Sequence, residues 1–126
     1  MTRYEKGAAA ERELLNDLHG KGFAVIRAAG SGVNALGPDI VVLKGDRAIA
    51  FECKSGYEGG LSIEEAQYQK IIEWQTRSNF PIYVAWRINR EGWFFILPSE
   101  LRKTSNHRVI TRREARAINR SLESVL

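Results

Sequence analysis

Residues 37–54 read GPDIVVLKGDRAIAFECK, and this stretch decides the fold. Two apolar runs rich in β-branched and aromatic residues flank the dipeptide Gly45-Asp46. Glycine at the first central position of a two-residue loop suits a type II′ turn, which joins antiparallel strands. The pattern therefore predicts a β-hairpin with strands over 39–44 and 47–54.

The turn also determines which residues of the hairpin lie opposite each other. When the turn is centred between Gly45 and Asp46, Asp39 faces Glu52. Directly opposed residues of an antiparallel pair share one face, with Cβ atoms roughly 4.5–5.5 Å apart. Strand alternation places Lys54 on the same face as Glu52. The hairpin therefore brings two carboxylates and one ammonium group together.

Opposed carboxylates destabilise a sheet unless a cation lies between them. Mg²⁺ is the natural candidate, because it binds one or two carboxylates and keeps positions for water and phosphate; Mn²⁺ fits the same oxygen ligands. The alternative is that Asp39 is a turn residue after Pro38, and that Glu52 and Lys54 form an ordinary surface ion pair. The apolar neighbours on both strands oppose this alternative, because buried acids need a partner.

The rest of the chain adds helices and strands around this hairpin. Apolar periodicity and turn residues predict helices over 8–19, 63–78 and 111–126, strands over 23–28, 82–88 and 93–97, and a loop over 29–38. Ser62, with Glu65 completing a capping box, and Thr111 are the expected N-caps of the later helices. This order predicts one domain over 1–126 with an α/β fold, a central mixed five-stranded sheet flanked by helices.

Two predicted helices add polar candidates to the site. Glu11 follows the helical spacing of three leucines and points toward the core, whereas Glu13 and Asp17 fall on the opposite face. On the second helix, Gln67 and Gln69 face different sides, so at most one of them reaches the hairpin. We expect both glutamines at the surface.

Composition narrows the function classes. With 44% hydrophobic and 27% charged residues, the chain has the values of an ordinary globular domain. It has no apolar run near the roughly 20 residues of a membrane span and no signal-peptide core at its start, so we expect a cytoplasmic protein without membrane attachment. A single cysteine, Cys53, excludes an internal disulfide and a thiolate zinc site.

Basic charge is concentrated near the C-terminus. Residues 101–120 contain seven Lys or Arg and one acid, Glu114, within a chain of net charge +4. A concentrated basic surface suits DNA, because phosphate contacts release counterions. Many basic helices are only solvated faces, so both interpretations stay open. The DNA-contact candidates in this tail are Arg112, Arg113 and Arg116.

The residues of the hairpin carry a family resemblance. Pro38-Asp39 followed by Glu52-Cys53-Lys54 resembles the PD-(D/E)xK nuclease motif. Over nearly the whole chain, the pattern is similar to the archaeal Holliday junction resolvases of the Hjc type, and the further matching residues are Gly7, Glu11-Arg12-Glu13-Leu14, Phe23, Arg27, Gly30-Ser31-Gly32 and Gly92-Trp93-Phe94-Phe95. The resemblance implies a restriction-endonuclease-like fold and Mg²⁺-dependent cutting of four-way junction DNA.

The resemblance also implies residue roles. The acids that hold or support the metal are Glu11, Asp39 and Glu52. Lys54 assists the attacking water or stabilises the negative charge that develops on the phosphate. Ser31 is one of the catalytic residues. The contacts to the scissile phosphate or its neighbours are Arg12, Arg27 and Ser31. Without the resemblance, Arg27 is a strand-end charge and Ser31 a loop hydroxyl. The alternative functions are a PD-(D/E)xK nuclease with another DNA target and a non-catalytic DNA-binding subunit.

Assembly follows from the same resemblance. A four-way junction must be nicked on two strands, and a C2 homodimer places two identical sites in symmetric positions. The segment 93–97 is apolar at consecutive positions, so both of its faces must be buried. We do not expect one small monomer to bury both. We therefore expect this strand, or the helix beside it, to form the dimer contact.

Overall fold

The computed structural model describes residues 2–28 and 36–126. Its elements are α1 (Arg3–Gly20), β1 (Ala24–Arg27), β2 (Ile40–Lys44), β3 (Arg47–Ser55), β4 (Leu61–Glu64), α2 (Glu65–Ser78), β5 (Ile82–Ile88), β6 (Gly92–Ile96), a short 3₁₀ helix (Pro98–Glu100), β7 (Arg102–Thr104), β8 (His107–Ile110), α3 (Arg112–Ile118) and α4 (Leu122–Val125). None of the helices in this part of the chain combines the length and apolar character needed to cross a membrane.

A five-stranded sheet with the order β1-β2-β3-β5-β6 forms the centre of the fold. Strands β3 and β5 run parallel, and the other neighbours run antiparallel. The parallel pair needs a crossover, which α2 supplies between them. The predicted α/β architecture with a mixed five-stranded sheet and flanking helices is confirmed.

The hairpin has the predicted register. Ile40 pairs with Phe51 and Lys44 with Arg47. Gly45 has a φ of 63°, a left-handed conformation that glycine adopts without strain. One step beyond the Ile40–Phe51 pair, Asp39 comes opposite Glu52, because all pairs between β2 and β3 keep the same offset.

Two apolar layers bury the sheet from opposite sides. One layer packs Leu14 and Leu18 of α1 against Phe51 and Phe95. The other packs residues of α2 and of the second sheet against Trp86 and its neighbours. Because β3 alternates sides, Phe51 enters the first layer, whereas Glu52 faces the side of the second layer and is half-buried.

A second, three-stranded sheet was not predicted. Its order is β4-β8-β7, and both of its pairings are antiparallel. Ser62 lies within β4 opposite Val109, so its predicted role as N-cap of α2 is wrong. The helix begins at Glu65 after Glu64, and no side chain caps it. The buried side chains of Leu61 and Ile63 on either side of Ser62 explain this, since their burial in a strand outweighs a local cap.

The C-terminal segment is also divided differently from the prediction. Thr111 caps α3 and forms a capping box with Glu114, as expected. The helix then ends at Asn119, which has a left-handed φ of 47°, and the short α4 follows. The single predicted helix over 111–126 is therefore two short helices.

Strand β6 is covered on both faces within the chain. Phe94 and Ile96 belong to one apolar layer and Phe95 to the other, and all three are buried. One monomer therefore covers the middle of the segment 93–97, contrary to our expectation, whereas Trp93 and Leu97 at its ends are half-buried. Arg120 also reaches the strand, because its guanidinium donates to the carbonyl of Phe95 at 2.8 Å.

Candidate active site

A cleft of about 520 Å³ is lined by residues of α1, the β2–β3 hairpin and α2. Its polar lining includes Glu11, Asp39, Glu52, Lys54 and Gln67. We call it the acid cleft. Residues predicted separately from a helix and a hairpin therefore share one concave surface.

Asp39 and Glu52 converge in the acid cleft, as the hairpin register predicted. The backbone N–H of Cys53 donates to Oδ2 of Asp39 at 2.7 Å, which fixes this carboxylate beside β3. Burial, followed by the negative charge of Asp39 and a hydrogen bond to it, raises the pKa of Glu52 to about 9. The positive charge of Lys54 acts against this rise. Glu52 thus keeps its proton beside a second carboxylate, in a site with too little positive charge.

This imbalance is the feature that fits a divalent cation. A cation held by Asp39 and Glu52 would replace the proton of Glu52 and relieve the repulsion between the two acids. Within residues 2–28 and 36–126, three or more His, Cys, Asp or Glu side chains do not gather into a ready metal cluster. Mg²⁺ does not require one, because one or two carboxylates with water and phosphate complete its coordination. The donor set is therefore suited to a divalent cation that takes oxygen ligands.

Glu11 points inward, as its helical spacing predicted, and its side chain is 17% exposed. Arg27 donates from Nε to Oε1 of Glu11 at 2.7 Å. This contact raises the pKa of Arg27, with smaller contributions from Tyr4 and Asp39. Arg27 is therefore not an isolated strand-end charge, because it pairs with another acid of the cleft.

Lys54 is held by a residue that was predicted to lie at the surface. Its Nζ donates to Oε1 of Gln67 at 3.0 Å, and Gln67 is half-buried. The surface prediction is wrong for Gln67 and confirmed for Gln69, which is exposed and bonds to Glu65. The sequence does indicate the burial of Gln67, because this residue lies one helical turn before the buried Ile71 and therefore on the same face of the helix.

Most of the basic tail is paired with acids. Five of the seven Lys and Arg residues in 101–120 form ion pairs, and these are Arg102, Arg108, Arg112, Arg116 and Arg120. Arg112 and Arg116 share the carboxylate of Glu91, at 2.9 and 2.6 Å. Arg113 is exposed, and no residue of 101–120 lines the acid cleft. A role in DNA contact for Arg112, Arg113 and Arg116 stays a prediction.

Two further candidates lie away from these contacts. Arg12 is exposed on α1, which suits a contact to an external phosphate and leaves that role a prediction. Ser31 lies outside the described residues, and its catalytic and DNA-binding roles stay predictions as well.

Comparison with known proteins agrees with this geometry. Residues 2–126 match the family model described as archaeal Holliday junction resolvase (Hjc). The chain belongs to the Hjc family. The crossover junction endodeoxyribonuclease Hjc of Archaeoglobus fulgidus is 34% identical over 103 residues, which cover 81% of this chain and 76% of the relative. The Hjc of Methanocaldococcus jannaschii is 33% identical over 111 residues, covering 88% of this chain and 80% of the relative.

The fold comparison gives the same family. The solved structure of the A. fulgidus Hjc, described as a Holliday junction resolvase from an archaeal hyperthermophile, matches with a TM-score of 0.82 and 28% identity. The match covers 95% of this chain and 94% of that chain. The central sheet and the acid cleft are therefore set in the Hjc fold, which is restriction-endonuclease-like as the resemblance implied.

Proposed function

We propose that the protein is a metal-dependent endodeoxyribonuclease that cuts four-way DNA junctions in recombination and repair, and that it acts in the cytoplasm. The convergence of Asp39 and Glu52 beside Lys54 carries this proposal. Membership of the Hjc family supports the substrate, since the relatives are named crossover junction endodeoxyribonucleases.

The residues of the cleft divide the work of phosphodiester hydrolysis. Asp39 and Glu52 would hold Mg²⁺, which when bound polarises the phosphate and lowers the pKa of water. The N–H of Cys53 keeps Asp39 in place for this role. Lys54, positioned by Gln67, places positive charge where the pentacoordinate phosphate develops negative charge.

Arg27 supplies a second cation at the edge of the cleft. Its side chain is 55% exposed while it contacts Glu11. A guanidinium binds phosphate oxygens through paired donors, so Arg27 can contact DNA from this position. Glu11, which lines the same cleft from α1, would support the metal.

The proposal is tested by changing one carboxylate at a time. Asp39→Asn and Glu52→Gln should abolish cutting of a four-way junction in Mg²⁺ and leave junction binding nearly intact, because phosphate contacts elsewhere supply most of the affinity. Asp46→Asn is the matched control, since Asp46 is an exposed acid in the turn of the same hairpin. Loss of binding in parallel with cutting would mean that the two acids are structural.

The same assay separates the alternatives. Equal cutting of linear duplex and junction would indicate a restriction-like or repair nuclease with a different target. Tight junction binding without any cutting, in Mg²⁺ and in Mn²⁺, would indicate a non-catalytic DNA-binding subunit. Cutting that persists in EDTA would exclude the metal mechanism.

We also propose a C2 homodimer, because paired nicks on two strands need two identical sites. The buried middle of the segment 93–97 leaves its half-buried ends, Trp93 and Leu97, or the helix beside this strand for the contact. Wild-type chains mixed with Asp39→Asn chains test this on a cruciform plasmid during one binding event. Mixed dimers should leave single nicks and wild-type dimers paired ones, whereas paired cuts by a protein that sediments as a monomer would contradict the dimer.

A further inference from the structure

Tyr4 is the most exposed aromatic residue that the structure describes, and it lines the acid cleft. It lies in the first turns of α1, and it is 79% exposed. The other exposed aromatic residues are Tyr57 and Phe80, each 40% exposed, and neither lines the cleft. A ring exposed to this degree contributes little to the core, so packing does not account for its position.

The surroundings of Tyr4 combine positive charge with a second apolar side chain. Arg3 also lines the cleft, and Lys6 is exposed on the following turn of α1. Cations near the start of a helix do not stabilise it, because the helix dipole is positive there. They do suit an approaching phosphate backbone. Leu36, which is 82% exposed, adds apolar surface to the same cleft.

We propose that the ring of Tyr4 stacks on a nucleobase at the branch point of junction DNA. This inference rests on the proposed function. Every base pair inside a linear duplex is covered by neighbours on both faces, whereas the strands that exchange at a branch point break the continuous stack, and opening of the junction makes base faces there accessible. An aromatic ring beside the cutting site binds such a face, while the adjacent cations hold the backbone. Tyr4 therefore contributes to the choice of junction over duplex.

The test compares Tyr4→Ala and Tyr4→Phe with Phe80→Ala as the matched control. Each protein is titrated with a four-way junction and with linear duplex of the same sequence, in Ca²⁺ so that the DNA stays whole. Tyr4→Ala should weaken junction binding by roughly 5- to 150-fold, the range for loss of one base–aromatic stack, and leave duplex binding unchanged. Tyr4→Phe keeps the ring and should bind as the wild type does.

A fluorescent purine analogue at the branch point gives a second measurement. Stacking by the wild type and by Tyr4→Phe should quench its fluorescence, and Tyr4→Ala should not. Equal weakening of junction and duplex binding in Tyr4→Ala would overturn the inference, as would a Tyr4→Phe protein that loses as much as Tyr4→Ala. A Tyr4→Ala protein that keeps the full junction preference overturns the inference alone. A wild type without any junction preference overturns the proposed function and the inference with it.

Discussion

Replacement of Glu52 by Gln should make the metal-free protein more stable at neutral pH, although it removes a metal ligand. The pKa of Glu52 is raised from 4.5 to about 9, first by burial and then by Asp39. In the unfolded chain, Glu52 loses its proton near pH 4.5, whereas in the folded chain it keeps the proton until about pH 9. Between these values the folded state binds one more proton, so stability falls as pH rises.

The size of the effect follows from the two pKa values. Each unit of pH in this window removes about 1.4 kcal/mol of folding free energy. From pH 4.5 to pH 7 the loss therefore reaches about 3 kcal/mol. Glutamine has nearly the same shape and does not titrate, so Glu52→Gln avoids this loss. The gain should be absent below pH 4.5, where both forms of the wild type are protonated.

Chemical denaturation in EDTA at a series of pH values measures this difference. The unfolding free energy of Glu52→Gln minus that of the wild type should be small at acidic pH and should grow steadily up to about pH 9. Glu58→Gln, which changes an exposed acid close by, should follow the wild type throughout. Added Mg²⁺ should stabilise the wild type and not Glu52→Gln. Parallel curves for Glu52→Gln and the wild type across the whole window would refute the raised pKa of Glu52.

Three further predictions concern catalysis, metal choice and DNA contact. Gln67→Ala should lower the cutting rate by about 10-fold or more without changing junction affinity, because Lys54 loses its positioning partner. Gln69→Ala is the control and should cut as the wild type does. Equal cutting rates for Gln67→Ala and the wild type would show that Lys54 needs no support. Ca²⁺ should permit junction binding and block cutting, since its coordination is longer and looser than that of Mg²⁺, and this is measured by gel shift beside a nicking assay. If Arg113 contacts one phosphate, Arg113→Ala should lower the slope of log affinity against log salt concentration by about 0.9. Arg112→Ala should mainly lower the stability of the protein and leave this slope nearly unchanged, since Arg112 is paired with an acid.

The hairpin and its acids were predictable because their geometry is local. A two-residue turn sets the register, and alternation then places Asp39, Glu52 and Lys54 on one face without knowledge of the remaining fold. The inward direction of Glu11 came from periodicity alone. These predictions depend only on residues that are close together in the sequence.

The features that were missed depend on contacts between distant segments. The second sheet joins β4 to β8, strands of only four residues each that come from separate parts of the chain. The ion pairs of Glu91 with Arg112 and Arg116 span 21 and 25 residues. Neither pairing leaves a pattern in the local sequence. The sequence therefore predicted one basic helix in the tail, although most of its positive charges form ion pairs.

The bond from Arg120 to the carbonyl of Phe95 has a consequence for how copies of this chain can meet. Strand β6 is the outer strand of the five-stranded sheet, and Arg120 is itself anchored by Glu100 at 2.7 Å. An acceptor of this outer strand is thus already occupied by a side chain that is held in place. A neighbouring sheet that paired along this edge would have to displace or share this acceptor, which disfavours edge-to-edge aggregation. Copies of this chain that meet at this border would therefore do so through side chains rather than through a continuous β-sheet.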